Sequence, residues 1–170
     1  RPIGINLEPV DSQAQMAGER LFIDEGRQAS LATIQRAEEL GVDFICLTGN
    51  PGTGVTNQAI IDTIRVVKEN FSGLLIAGKM HASGVDEPVA DLEAIAQFIE
   101  AGVDIVLAPA VGSVPGFDEQ DLKQIVRLAH QKGALVMSAI GTSQESADED
   151  IVKQMAIRNK ICGVDIQHIG

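Results

Sequence analysis

The sequence predicts an α/β fold: a parallel (β/α)8 barrel of the TIM type, incomplete over this chain, with about six strands present. Three observations carry that expectation. Gly-Val-Asp recurs at 41–43, 102–104 and 163–165, each copy 61 residues after the last. Glycines at 41, 73, 102, 133 and 163 then mark a period close to thirty, the length of one βα unit. After each glycine comes a short, largely apolar run, read as a strand buried on both faces.

The elements follow in order. Ile3–Glu8 reads as an opening strand, and Pro9–Ala29 as a long connection of the kind that forms lids at a barrel mouth. Within that connection Arg20 and Arg27 are candidates to reach an anionic substrate. A helix is expected over Leu31–Leu40, then a strand over Phe44–Leu47. Ile60, Ile64, Val67 and Phe71 stand at helical spacing behind a Thr56 cap, and Leu74–Ala77 forms the next strand. Leu92, Ile95, Ala96 and Ile99 make a second stripe, with Asp86 as the expected cap and Pro88 soon after. Ile105–Ala108 is a strand, and Leu122, Ile125, Val126 and Ala129 repeat the stripe behind Asp118. Ala134–Met137, a helix around Ile151–Ile157 and a last strand over Ile166–Ile169 complete the series. The glycines are read as helix ends in the left-handed conformation. An eight-unit barrel takes about 250 residues, so residues 1–170 are expected to form a single barrel domain that is a fragment of a longer one.

Composition narrows the function classes. Apolar residues make up 45% and charged residues 22% of the 170, ordinary for a globular domain. Five Phe are the only aromatics of the Phe/Trp/Tyr group, too few for base-stacking platforms, and a net charge of −11 repels a phosphate backbone. Nucleic acid is therefore not an expected partner, and no apolar run reaches membrane-spanning length. Cys46 and Cys162 fall in or just before strand positions without zinc spacing, which suits free buried thiols and a cytoplasmic location. A homo-oligomer is open.

In a parallel barrel the chemistry sits where strands end at their C-terminal side. Those ends supply Asn6 and Glu8; Thr48, Gly49, Asn50, Gly52, Thr53 and Gly54; Lys79 and His81; Ser138 and Thr142; and His168. The Gly49–Gly54 loop joins a strand to a helix, so glycine backbone and helix-start N–H groups suit an anion such as phosphate. It is neither a Walker loop, since Val55 stands where Lys is needed, nor a dinucleotide fingerprint, since Asn57 replaces the third Gly. Lys79 and His81 lie two apart and in a strand would face one way; facing inward, Lys79 suits a Schiff base or a charge clamp. An ion pair of Lys79 with Glu8 is the structural alternative. His81, His168 and Glu8 are the candidates to move protons, and the same three, coming from different strands, are the alternative set for a metal site. No spacing selects a metal site, and no cofactor is required, though Mg²⁺ is left open. His130, late in a helix, reads as a surface complement to the helix dipole.

The run Thr48-Gly49-Asn50-Pro51-Gly52-Thr53-Gly54 after an apolar strand resembles the T-G-x-x-T-G segment of BtpA-type barrels, with one extra residue. That resemblance implies membership of the phosphate-binding (β/α)8 superfamily. The chain is also similar to bacterial barrel proteins labelled phosphonomutase or haloacid-dehalogenase-like hydrolase. Asp148-Glu149-Asp150-Ile151-Val152 matches the D-x-D-x-V string of the latter, but a polar stretch precedes it where that family has a strand, so a helix start is expected. The acidic Mg²⁺ cluster and Lys-Cys loop of phosphonomutase relatives are not found. The first expectation is an enzyme of lyase, aldolase or isomerase type acting on a small phosphorylated or carboxylated metabolite. A non-catalytic ligand-binding or assembly protein is the alternative, and a Mg²⁺-dependent phosphonomutase-like or hydrolase activity the third.

Overall fold

The computed structural model describes residues 1–141 and 147–170. Among the described residues six strands alternate with five α-helices: β1 Gly4–Leu7, α1 Leu31–Leu40, β2 Phe44–Leu47, α2 Asn57–Asn70, β3 Leu74–Gly78, α3 Leu92–Ala101, β4 Ile105–Pro109, α4 Glu119–Gln131, β5 Leu135–Ile140, α5 Glu149–Ile161 and β6 Ile166–Ile169. All pairings are parallel and the sheet order is β1-β2-β3-β4-β5-β6. The sheet curls with its helices outside, an incomplete TIM-type barrel in which β1 and β6 each pair on one side only.

Strand parity divides the apolar residues. Ile45, Leu47, Leu75, Ala77, Val106 and Ala108 pack with Ile34, Ile60, Ile64, Phe98, Leu122 and Ile125 of the helices in one continuous core. The opposite parity, Cys46, Ile76, Ile105, Leu107 and Ala139, gathers with Phe44, Met80, Met137 and Ile166 on the concave side. The α4 stripe is buried as expected. On α3 the buried face is Ala94, Ile95 and Phe98, and Leu92 is exposed, so the stripe is rotated from the expected one.

Helix starts follow side-chain chemistry. Thr56 caps α2, Asp118 caps α4 and Asp148 caps α5, each accepting a backbone N–H of the first turn. The cap of α3 is Asp91 and not Asp86, and between them Glu87 turns back onto Lys79, just beyond β3, and onto the start of α2. Gly41 and Gly102 end helices in the left-handed conformation. Gly73 does not: α2 ends in extended Phe71, and Gly73 is needed because a Cβ there would lie 2.6 Å from the Asp43 carbonyl.

The repeated aspartate has a specific use. Asp43, Asp104 and Asp165 stand at the starts of β2, β4 and β6, and each carboxylate accepts an N–H from the start of the preceding strand. The donors are Ile3 at 2.7 Å, Leu75 at 2.8 Å and Val136 at 2.8 Å. The aspartate N–H in turn donates to the carbonyl of the same residue, at 2.7, 3.0 and 3.0 Å. The 61-residue period is thus that of a two-strand unit fastened at its base. Replacing Asp104 with Ala should cost about 1–2 kcal/mol, read as a lowered urea midpoint, with Asp104→Asn retaining part of the loss.

Candidate functional site

The loops that follow β1, β2 and β3 meet at the C-terminal ends of those strands, and backbone hydrogen bonds fasten the three together. Asp11 N donates to Gly54 O, Leu21 N to Gly52 O, Ala17 N to Gly84 O and Gly54 N to Ser83 O, all within 3.0 Å. Val10 bridges to Val55 and Met16 to Val85 in antiparallel fashion. The Pro9–Ala29 segment is therefore tied to the β2 and β3 loops. Gly52 and Gly84, both at positive φ, touch: a Cβ on Gly84 would lie 2.9 Å from the Gly52 Cα.

Two cavities adjoin here. A mouth cavity of about 560 Å³ is walled by the β2 loop (Asn50 to Gly52), the β3 loop (Met80 to Gly84), Ser113 to Pro115 and Gly141. A deeper one of about 250 Å³ in the concave face has Asn6, Cys46, Thr48, Met80 and His168 among its walls. Met80 belongs to both and separates them.

His81 is held in one tautomer. The Ser83 N–H donates to its Nδ1 at 3.0 Å, so the neutral ring carries its proton on Nε2. Burial lowers the His81 pKa below 6.5; the Glu8 carboxylate opposes this and the Lys79 ammonium adds to it. The ring is thus neutral at physiological pH. A stability consequence follows, because the unfolded chain takes up a proton near pH 6.5 that folded His81 accepts only at lower pH. Stability should be full above pH 6.5 and decline as pH falls through the lowered folded value. Thermal melts across pH 7.5 to 4.5 check this, and His81→Gln should flatten that part of the profile.

Ser83 is 2% exposed and Thr48 4% exposed, and among the described residues neither hydroxyl has a hydrogen-bond partner. Ser83 also holds φ at +54°, the one non-glycine residue at positive φ among those described. Its Oγ stands over Gly49, where a Cβ would lie 2.5 Å from it. Buried, unpaired hydroxyls are uncommon, and a cavity wall is where a ligand can satisfy them.

The other sequence candidates are placed as follows. Asn6, Thr48 and His168 line the deeper cavity, and Asn50, Gly52 and His81 the mouth. Glu8 is 2% exposed below the β2 loop and accepts from Asn50 N at 2.8 Å, Asn50 Nδ2 at 2.7 Å and Arg27 Nη2 at 2.8 Å. Its carboxylate takes the Asn50 N–H, one of the donors of this loop. Thr53 Oγ1 donates to Asn50 O, and Gly54 packs against Arg20 and Met16. Arg20 donates to the Ala14 and Thr53 carbonyls.

Lys79 lines neither cavity. It is 2% exposed and pairs with Glu87, not Glu8, and the same Glu87 oxygen accepts the Asn57 N–H at the start of α2. Lys79 and His81 therefore do not face one way: β3 ends at Gly78, and two-residue spacing stops meaning one face beyond it. Ser138 donates to Gln167 Oε1, and Asn159 of α5 joins that buried network while accepting the Val111 N–H at 2.9 Å. Thr142 lies outside the described residues.

Sequence reasoning missed Ser83, Glu87 and Asn159. Ser83 carried a signal in the Ser-Gly pair that follows His81, a turn signature. For Glu87 and Asn159 no local pattern existed. Burial pushes the Cys46 thiol up to about 12, which makes it an inert wall residue. Among the described residues no group of three or more His, Cys, Asp or Glu side chains is placed to hold a metal ion, and the residues near Glu8 do not fit Mg²⁺ because Arg27 and Asn50 already occupy its oxygens. No described helix is long and apolar enough to cross a membrane.

Comparison with solved structures returns barrel enzymes. A FabK variant from Thermotoga maritima is 17% identical with a TM-score of 0.57, covering 100% of this chain and 43% of its own. Inosine 5' monophosphate dehydrogenase from Legionella pneumophila is 16% identical with a TM-score of 0.60, covering 100% of this chain and 43% of its own. Oxaloacetate acetylhydrolase in complex with 3,3-difluorooxalacetate is 14% identical with a TM-score of 0.63, covering 82% of this chain and 55% of its own. At these identities the likeness is one of fold, and the chain spans about half the length of those structures. None of the curated proteins compared with it matches. The model of one family, described as Domain of unknown function (DUF7916), matches residues 1–170, and the chain belongs to that family.

Proposed function

We propose that this chain forms the greater part of a barrel enzyme that binds a small phosphorylated or carboxylated carbonyl metabolite at its mouth and performs lyase or isomerase chemistry on it. The observation that carries the reading is the tautomer of His81, whose Nδ1 accepts the Ser83 N–H in a cavity wall. A neutral imidazole with its proton on Nε2 can donate to a carbonyl oxygen as charge develops there, which is what breaking or shifting a bond beside a carbonyl requires. Ser83 lines the same cavity as His81, while Thr48 and His168 line the adjoining one, where His168 is the remaining candidate to move a proton. Lys79 and Glu8 have structural partners and are assigned no chemical step. The T-G-x-x-x-T-G resemblance to BtpA-type barrels and the similarity to an acetylhydrolase fold holding a difluorinated oxo acid support the choice of ligand class.

The test is solvent-deuterium incorporation, followed by NMR, with the full-length protein and a panel of 2-oxo acids and sugar phosphates. Exchange or cleavage beside the carbonyl is expected for one class, falling about 100-fold or more in His81→Gln with the melting temperature kept. Turnover that survives His81→Gln would overturn the assignment. The pairing of Glu8 with Arg27 and of Lys79 with Glu87 favours, as a second reading, a non-catalytic binding protein; saturable binding without exchange or cleavage would select it.

A further inference from the structure

Three residues of the mouth wall, Gly52, Ala82 and Gly84, share one hydrogen-bonding state: the carbonyl is taken and the N–H is not. Gly52 O accepts from Leu21 N at 2.9 Å, Gly84 O from Ala17 N at 2.9 Å and Ala82 O from Val85 N at 3.1 Å. Among the described residues none of the three N–H groups has an acceptor. The Ser83 N–H between them is spent on His81 Nδ1, and that bond leaves the imidazole Nε2–H as a fourth donor in the same wall. Backbone N–H groups away from water are nearly always paired, so three left over in one cavity wall call for an acceptor from outside.

The donors lie together although they come from the loops of two strands. A Cβ on Gly84 would stand 2.9 Å from Gly52 Cα and 3.3 Å from Gly52 N. Gly52 and Gly84 hold φ at +77° and +81°, so a side chain at either would be strained, and one on Gly84 would push the two backbones apart. A group of backbone N–H donors in a concave wall takes an oxygen anion, which needs donors only. Charge is sorted to match. The described walls of the mouth hold none of the 24 Asp and Glu residues of a chain whose net charge is −11. Glu8 and Glu87, which reach this end of the barrel, are paired with Arg27 and Lys79.

We infer that the Gly52, Ala82 and Gly84 N–H groups form an oxyanion subsite that anchors the phosphate or carboxylate of the ligand, leaving His81 Nε2–H in the same wall for the rest of the molecule. The inference rests on the assignment of the mouth as the ligand site and goes further in naming the atoms that hold the anion. Two of the three donors come from the β3 loop, outside the Gly49–Gly54 stretch that the sequence singles out, and the Asn50 N–H of that stretch is spent on Glu8.

The experiment follows the backbone amide resonances of the full-length protein by NMR during titration with inorganic phosphate and, separately, acetate, with chloride holding the ionic strength constant. At least one of the two anions should saturate and move the Gly52, Ala82 and Gly84 amides more than amides at the opposite end of the barrel; which one does so says whether the ligand brings a phosphate or a carboxylate. Ala82→Asp, a carboxylate added to the half-buried wall, should weaken that anion about tenfold or more. Gln131→Glu adds the same charge at the end of α4, on the opposite end of the barrel, and should leave the affinity unchanged. Melting temperatures of both variants should stay within a few degrees of the parent. If neither anion moves the three amides, or if Ala82→Asp binds as the parent does, the subsite is overturned, and the exchange assay with His81→Gln still decides the mouth reading by itself. Saturation at these amides in a protein that exchanges and cleaves nothing would keep the subsite and overturn the lyase or isomerase reading.

Discussion

The Gly78→Ala variant is expected to lose more than about 4 kcal/mol of folding stability and to be recovered largely unfolded. Two independent physical effects act at this position. The backbone holds φ at +153°, a region that L side chains rarely adopt. A Cβ there would also lie 2.0 Å from the Leu107 carbonyl oxygen and 2.9 Å from its carbon, so it would strike the backbone of β4. No rotamer change relieves a collision between a Cβ and a main-chain carbonyl; the strands would have to separate. Gly78 is paired with Leu107 at the end of the β3–β4 ladder, and the two residues after it send Lys79 toward Glu87 and Met80 into the cavities. Any separation therefore disturbs the site as well as the sheet. Gly26→Ala is the control, since its φ is not positive and nothing lies within 4 Å of an added Cβ. Urea denaturation should show Gly26→Ala within about 0.5 kcal/mol of the parent. A Gly78→Ala protein that melts within a few degrees of the parent would show that the strand ends tolerate separation.

The same residue explains where reading the sequence stopped working. Inside the elements, periodicity is a direct imprint of burial: strand runs at Phe44–Leu47 and Ile166–Ile169 and the helix at Leu31–Leu40 have the bounds that their apolar patterns gave. The Gly-Val-Asp repeat was legible as a period, and its glycine as a helix end. The use of its aspartate, accepting a neighbouring strand's N–H, depends on which strands pair, which no local pattern contains. At the site the difficulty is sharper. Alternation holds only while the chain is a strand, and beyond Gly78 it ceases, so Lys79 and His81 part company. Charges near a strand end look alike in sequence whether they meet a ligand or one another. Glu8 and Lys79 found Arg27 and Glu87, residues 19 and 8 positions away through loops whose course only the folded chain fixes. Ser83 and Thr48 gained significance from the opposite circumstance, burial without a partner.

Glu8→Ala should destabilise the protein by about 3 kcal/mol, and Glu8→Gln by about 1 kcal/mol. Removing the carboxylate leaves the Asn50 N–H and amide buried without acceptors and Arg27 without its counter-ion. The arginine side chain is 55% exposed, so water compensates most of its loss and the cost falls chiefly on Asn50. Glutamine keeps a carbonyl that can accept one of those bonds. Amide hydrogen exchange locates the effect: protection at Asn50 should collapse in Glu8→Ala, with the Leu75 and Val106 amides in the middle of the sheet changing only as much as global stability does. Loosening should spread to Thr53 and Gly54, because Thr53 is tied to the Asn50 carbonyl and Gly54 to Ser83. The pair of variants also separates structure from chemistry at this carboxylate. If the proposed activity holds, Glu8 as an anchor of the β2 loop should give losses of it that follow losses of protection, modest in the glutamine variant and large in alanine. A proton carrier would behave differently, since Glu8→Gln would then abolish turnover while Asn50 stayed protected, and that outcome would return Glu8 to the catalytic machinery.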